Sequence, residues 1–231
     1  MNDFFNWDKI FLQSDDFHSK PKCKFTFIED LISKEFYDRL VNEYPQSDDK
    51  EWISVESVDK SSFRQFFNSK DEVIEKGDPD PKFSDTWNDF YLYLNSPEVI
   101  KKIRDFSGVN VTKLKHFSFM LLKKGGFQQP HIHNVGPSTI IFILYFNKNW
   151  VSGDPGGTYI STQEDETKID FEPQNLDNSG VIFQDGPFAG HGVKYIEKDI
   201  SRKAIQLYYE EFSVENGWSG DKNIKPEPIE L

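Results

Sequence analysis

The chain has 231 residues, enough to bury a substantial core within one of the larger single domains. Aromatic residues make up 16%, mostly phenylalanine, and charged residues 29%, which excludes a disordered or fibrous chain. The formal charge is -12, spread from Asp3 to Glu230, and without clustered Lys and Arg to meet phosphates no nucleic-acid partner is expected.

Cys23 is the only cysteine, so an intramolecular disulfide and a Cys-rich zinc site are both excluded, and a reducing, cytoplasmic setting is expected. The first residues lack the basic and apolar stretches of a signal peptide, and no apolar run approaches the length of a membrane span, so no membrane partner is expected. The strongest apolar run, residues 139–146, suits a buried strand.

In chain order, residues 1–22 read as an arm ending in Ser-Lys-Pro-Lys. Residues 24–28 alternate as a short strand should. Ser33 is placed to cap a helix whose apolar stripe is Phe36, Tyr37, Leu40, Val41 and Tyr44, with Pro45 beyond its end. Residues 46–82 have the loosest composition. Gly-Asp-Pro-Asp-Pro at 77–81 lacks the ligand spacing of an EF-hand and reads as a solvated turn, while Ser-Ser-Phe-Arg-Gln-Phe-Phe at 61–67 reads as an anchor for the connection rather than a substrate-facing loop.

Two more helices are predicted: one from Ser84 to Leu94, and one capped by Ser96, opened by Pro97 and stopped after Phe106 by Gly108. The period then changes, and strands are predicted at 114–123, 138–147, 156–162, 168–172, 180–184 and 203–213. Helices followed by strands predict a mainly β fold, a sandwich or barrel buttressed by an N-terminal helical layer.

The candidate chemistry lies in Gly125–Tyr145 and in Gly-Pro-Phe-Ala-Gly-His-Gly-Val at 186–193. In an extended strand His131 and His133 point to one face, and His191 from another strand would complete a metal site. Imidazole suits iron, zinc, copper and nickel. Arg202 stands at the entry to the strand-like Lys-Ala-Ile-Gln-Leu-Tyr-Tyr, and a guanidinium inside a barrel needs an anion, for which a carboxylate is the geometric match. Taken singly, a histidine is more often a hydrogen-bonded core or surface residue, and an arginine beside a strand a surface one. The metal reading rests on their combination.

Several segments together resemble the Fe(II)- and 2-oxoglutarate-dependent oxygenases of the prolyl-4-hydroxylase-like group. Residues 27–40, Phe-Ile-Glu-Asp-Leu-Ile-Ser-Lys-Glu-Phe-Tyr-Asp-Arg-Leu, look like the entry strand and first helix. Lys-Lys-Gly-Gly-Phe-Gln-Gln-Pro-His131 is similar to the approach to the first metal histidine. Leu-Tyr-Phe-Asn at 144–147, Trp150 and Gly-Asp-Pro-Gly-Gly-Thr-Tyr at 153–159 are similar to the strand and turn that follow it, and His191-Gly-Val with Arg202 to the distal histidine and the 2-oxoglutarate arginine.

The resemblance implies a double-stranded β-helix, or jelly roll, as a single domain: a helical support layer over about 24–110, a β-helix core over about 111–215, and terminal arms at 1–22 and 216–231. It implies that His131 and His191 bind Fe(II), with His133 at the position of the family's carboxylate as third ligand, and that Arg202 holds the far carboxylate of 2-oxoglutarate. No catalytic residue beyond the metal site is implied. Ascorbate is the implied reductant, and the implied reaction hydroxylates a small-molecule or peptidyl substrate with release of succinate and CO2. The substrate is expected to be recognised by loops such as 46–82 and 148–157.

Three positions depart from the family pattern: His133 replaces the carboxylate, Leu122 a tyrosine and Ala204 a small hydroxyl residue. Asp154 or Asp185 stands as an alternative source of the carboxylate, though neither has the usual register, and His18 and His116 are expected to be structural. Two alternatives stand beside the oxygenase. One is a metal-binding pseudo-enzyme of the same fold. The other is a cupin-type dioxygenase with three histidines that does not use 2-oxoglutarate, suggested by Gly125 preceding His131-x-His133.

Overall fold

The computed structural model describes residues 3–67, 79–133 and 136–222. Residues 68–78 of the expected loop, which include Gly77 and Asp78 of the acidic turn, and the C-terminal arm past residue 222 lie outside the described residues.

The first residues, read as an arm, pack onto the molecule. They make α1 (Trp7–Leu12) and α2 (Ser14–Ser19), and Trp7, Ile10 and Phe17 are buried in the main core. β1 (Phe25–Glu29) leads to α3 (Lys34–Asn42), whose stripe buries Phe36, Tyr37 and Leu40; Ser33 precedes it without a side-chain cap. β2 (Ile53–Ser57) and β3 (Lys60–Phe66) then form an antiparallel hairpin inside the region expected to be a loose connection. The next two helices start as their caps dictate. The Ser84 and Ser96 hydroxyls accept the N–H groups of Trp87 and Val99 at the heads of α4 (Asp85–Leu94) and α5 (Pro97–Ser107), and Gly108 ends α5 with a φ of +70°.

The remaining strands are β4 (Lys113–Leu122), β5 (Phe127–His131), β6 (Ile140–Tyr145), β7 (Thr158–Ile160), β8 (Ser179–Gln184), β9 (His191–Val193) and β10 (Arg202–Glu210), followed by the small β11 (Phe212–Ser213) and β12 (Gly217–Trp218) pair. Residues 168–172, expected as a strand, contribute only an isolated bridge between Phe171 and Ile160. The main sheet runs β1-β8-β6-β10-β4-β3-β5-β9-β7, with β2 on β3 and every pairing antiparallel. This is the curled, mostly antiparallel architecture of a double-stranded β-helix. β1 and the hairpin thus join the sheet, although the sequence placed them in the helical support layer.

Alternation along the central strands sorts their side chains onto two faces. Phe117, Phe119, Phe142, Leu144, Ile205 and Leu207 pack with the helices, whereas Met120, Leu122, Ile143, Tyr145, Val181 and Ala204 form a second cluster in the lumen. β6 and β8 are covered on both faces and therefore read as continuous apolar runs. No helix among the described residues is long and apolar enough to cross a membrane.

Tyr44, just past α3, ties the helical layer to the strands that carry the candidate site. Its buried hydroxyl lies 2.9 Å from Met120 O and 2.7 Å from Ala204 O, and accepts the Met120 N–H at 3.3 Å. Replacing it by Phe leaves these buried backbone groups short of a partner. Tyr44→Phe is expected to lower stability by about 1–3 kcal/mol in urea unfolding, with little change in the slope of the transition.

Candidate metal centre

The pairing of β5 with β9 sets His131 opposite His191. His133 follows two residues beyond His131, after the chain has left the strand, and turns back to the same point. The nitrogen donors of the three residues all lie within 4.8 Å of one another.

Backbone carbonyls determine which nitrogen of two rings carries the proton. His131 Nδ1–H donates to Gln129 O at 2.9 Å and His191 Nδ1–H to Ala189 O at 2.8 Å, in each case two residues earlier. A carbonyl only accepts, so both Nε2 atoms present lone pairs to the centre. His133 Nε2 lies 3.2 Å from His191 Nε2 and 3.3 Å from the Tyr208 hydroxyl.

Burial is the leading cause that pushes the pKa of all three histidines down: His191 to about 3, His133 well below the usual range and His131 in the same direction. The rings are therefore neutral, as ligation requires. A proton on His133 Nε2 would be donated to the His191 Nε2 lone pair, whereas with that proton on Nδ1 both lone pairs face one point where an ion can take them. A separation of 3.2 Å suits two donors on one ion whose bonds are about 2.1 Å. The donor set fits a metal of the imidazole-preferring kind.

Behind His133, Asp185 is 3% exposed. Its Oδ1 stands 4.0 Å from His133 Nδ1, and its Oδ2 accepts the Gly136 N–H at 2.8 Å. The sequence placed Asp185 out of register for a ligand. The structure sets it beside the outer edge of a ligand-type ring, where carboxylates behind the ligands orient metal-binding histidines. Asp154 instead pairs with Lys198. His18 bonds Phe106 O of α5 at 2.9 Å, while His116 stacks on Tyr208 with ring centres 4.7 Å apart.

Arg202 opens β10 and is fully buried. Its Nε donates to Gly156 O and one Nη to Thr158 Oγ1, both at 2.9 Å, while the other Nη faces Met120 Sδ at 3.9 Å. The guanidinium also lies over the Tyr145 ring, 5.0 Å from its centre, and the Tyr145 hydroxyl accepts the Thr158 N–H at 2.9 Å. No carboxylate of the described residues lies within 4.0 Å of it. Burial pushes its pKa down, but an arginine keeps its charge, so the lumen holds a cation supported only by neutral groups. Leu122 and Ala204 share the lumen cluster with the groups that flank it.

Arg64, read from the sequence as part of an anchor, is a second lumen cation. It pairs in register with Met120, and one Nη donates to Gln206 Oε1 at 2.8 Å and Ser118 Oγ at 3.2 Å. Its sequence signal was weak, because an arginine between phenylalanines does not announce which face it takes. Tyr145 and Tyr208 were hidden in the same way, within runs that read as core strands.

No protein-family model matches the sequence, and no curated protein matches it. Solved structures do match. A prolyl-4-hydroxylase from Pseudomonas putida superposes with a TM-score of 0.66 over 87% of this chain and 98% of its own, at 13% identity. A prolyl hydroxylase from Trichoplax adhaerens, solved with a hypoxia-inducible-factor peptide, gives 0.60 over 88% of each chain at 15% identity. HygX from Streptomyces hygroscopicus, solved with nickel, 2-oxoglutarate and hygromycin B, gives 0.55 over 88% of this chain and 86% of its own at 9% identity. The chain therefore has the double-stranded β-helix fold seen in prolyl-4-hydroxylases and 2-oxoglutarate/iron oxygenases.

Proposed function

We propose that the protein is an iron(II)- and 2-oxoglutarate-dependent oxygenase that hydroxylates a small-molecule or peptidyl substrate. The observation that carries this reading is one lumen holding three converging neutral imidazoles and a buried arginine without a carboxylate partner. In it, His131, His133 and His191 hold the metal and Arg202 takes the far carboxylate of 2-oxoglutarate. Bound there, iron(II) would supply the redox chemistry by which O2 takes four electrons, two from the oxidative decarboxylation of 2-oxoglutarate to succinate and CO2 and two from a substrate C–H bond, with one oxygen atom passing to succinate and the other to the hydroxylated product, and with ascorbate restoring the reduced metal.

The chain's own contribution is positioning and shielding. The carbonyls of Gln129 and Ala189 keep two ligand nitrogens unprotonated, the Gln128 amide lies 3.3 Å from His131 Nε2, and Asp185 stands 4.0 Å from His133 Nδ1. Gly156 O and Thr158 Oγ1 hold the Arg202 fork, and the Tyr145 ring shields one side of it. Met120, Leu122, Ile143 and Val181 keep the lumen apolar, which strengthens each charge-assisted contact made inside it. His131 and His133 are partly exposed while Arg202 is wholly buried, so the metal end is the accessible end.

A second reading is favoured by His133 itself, because with a neutral donor set in place of a carboxylate the fold can bind metal without turnover. His133→Asp separates the two. If the natural protein is inert and the variant consumes 2-oxoglutarate, the site is degenerate; if the variant is slower than wild type, three histidines are the working set.

Purified protein with Fe(II), ascorbate and 2-oxoglutarate should release succinate, and anaerobic addition of 2-oxoglutarate should develop a metal-to-ligand charge-transfer band. Silence in both assays rules out the reading. Arg202→Met should raise the 2-oxoglutarate Kd by about 100-fold or more in calorimetry, since it removes the partner of a buried charge, while Ni(II) affinity changes little. Asp185→Asn should weaken Ni(II) binding about 10-fold in a chelator competition, with an unchanged circular-dichroism spectrum.

A further inference from the structure

Arg64 is the lumen cation that the proposed chemistry leaves unused. Its register with Met120 sends its side chain to the lumen, where its partner Gln206 is one same-face step along β10 from Tyr208, the residue that meets His133. One Nη is held by Gln206 and Ser118, both neutral, and the Ser118 hydroxyl is itself shared with His116 Nε2 at 3.0 Å. The other N–H groups donate to no described residue, and no carboxylate of the described residues lies within 4.0 Å. The residue is half-buried, whereas Arg202 is fully buried. It is also close enough to the imidazole cluster to add, after burial, to the lowering of all three histidine pKa values.

The charges of the lumen do not balance without a further anion. A divalent metal on three neutral imidazoles is offset by the two carboxylates of 2-oxoglutarate, and the charged side chains acting on the site are Arg64, Arg202 and Lys60 against Asp185 and Glu164. One positive charge remains, and Arg64 is the cation with an open edge. A partly desolvated guanidinium close to a metal cation is costly without an anion, and its free N–H edge matches a carboxylate in bidentate fashion. It is partly exposed, and its partner Gln206 stands one same-face step along β10 from Tyr208, which meets His133, so the anion would lie on the metal side of the lumen, while Arg202 is wholly buried.

We propose that Arg64 binds the carboxylate of the molecule oxidised at this site, so that the substrate is a small carboxylic acid of the amino-acid or N-acyl amino-acid kind. An internal peptide residue offers no such group. The inference rests on the oxygenase reading of the same lumen and names the substrate class for it.

The test uses a panel of N-acetyl-L-amino acids and the matching N-acetyl amino-acid amides, titrated into Ni(II)-loaded full-length protein with and without saturating 2-oxoglutarate. Binding is read by calorimetry and by the shift in Tm. At least one acid is expected to bind about 10-fold or more tightly than its amide. Arg64→Met should abolish that preference and Arg64→Lys should keep part of it, while 2-oxoglutarate affinity moves less than about 3-fold in both. Circular dichroism and the Tm without ligand establish that the variants fold.

The proposal is overturned if no acid is preferred over its amide, if Arg64→Met retains the preference, or if Arg64→Met weakens 2-oxoglutarate as strongly as Arg202→Met does. The last result would assign Arg64 to the cosubstrate. The underlying reading fails separately. An Arg64-dependent acid preference without any 2-oxoglutarate binding keeps the anion site and removes the oxygenase, whereas 2-oxoglutarate binding with no acid preference does the reverse.

Discussion

The candidate site depends on the close antiparallel approach of β5 and β9, because that pairing brings His131 opposite His191. The approach is possible only because Gly192 has no side chain. A Cβ there would fall 2.5 Å from Gln128 O, and the Tyr159 side chain on the neighbouring strand would crowd it as well. Both histidines then use one device, a ring N–H donated to the carbonyl two residues back, which turns both remaining nitrogens inward. His133 needs no strand of its own to join them, since the chain leaving β5 carries it there.

The rest of the molecule serves to keep that approach rigid. Central strands buried on both faces cannot slip by one residue without sending phenylalanines into the lumen and Arg202 into the helical layer. The helices supply the apolar cover for one face, and Tyr44 locks it to β4 and β10 by direct hydrogen bonds to their backbones. Electrostatics then distinguishes inside from outside. The chain as a whole carries -12, yet its lumen presents Arg64 and Arg202 with Asp185 as the nearby acid. Burial first, and then the neighbouring charge of Arg202, pull the Arg64 pKa down to about 10, as expected where two cations share a lumen without an anion between them.

Much of the fold was legible because its local signals agree with the packing. The capped helices at Ser84 and Ser96, the Gly108 stop and the apolar strand within 139–146 all lie where the sequence put them. What escaped was short or atypical. β5 holds Gln128, Gln129 and Pro130, so it shows no apolar alternation, and β9 has only three residues. The β2–β3 hairpin is largely exposed on β2 and so has the composition of a loop. The N-terminal stretch packs through Trp7, Ile10 and Phe17, but it is broken at Gln13 into two helices of six residues, each too short to show a periodic face.

The sequence by itself determined the inventory of the site: three histidines that can meet, one arginine at a strand entry, no cysteine pair able to compete for metal, and strands periodic enough to have a lumen face. Only the tertiary structure decided which groups share that lumen. Tyr208 meets His133 from 75 positions away, Asp185 meets Gly136 from 49, and Arg64 meets Gln206 from 142, and no local pattern relates them. Their proximity is set by strand order and register, which depend on pairings between distant segments, and a side chain's sequence neighbours carry no information about the strand that will lie across from it.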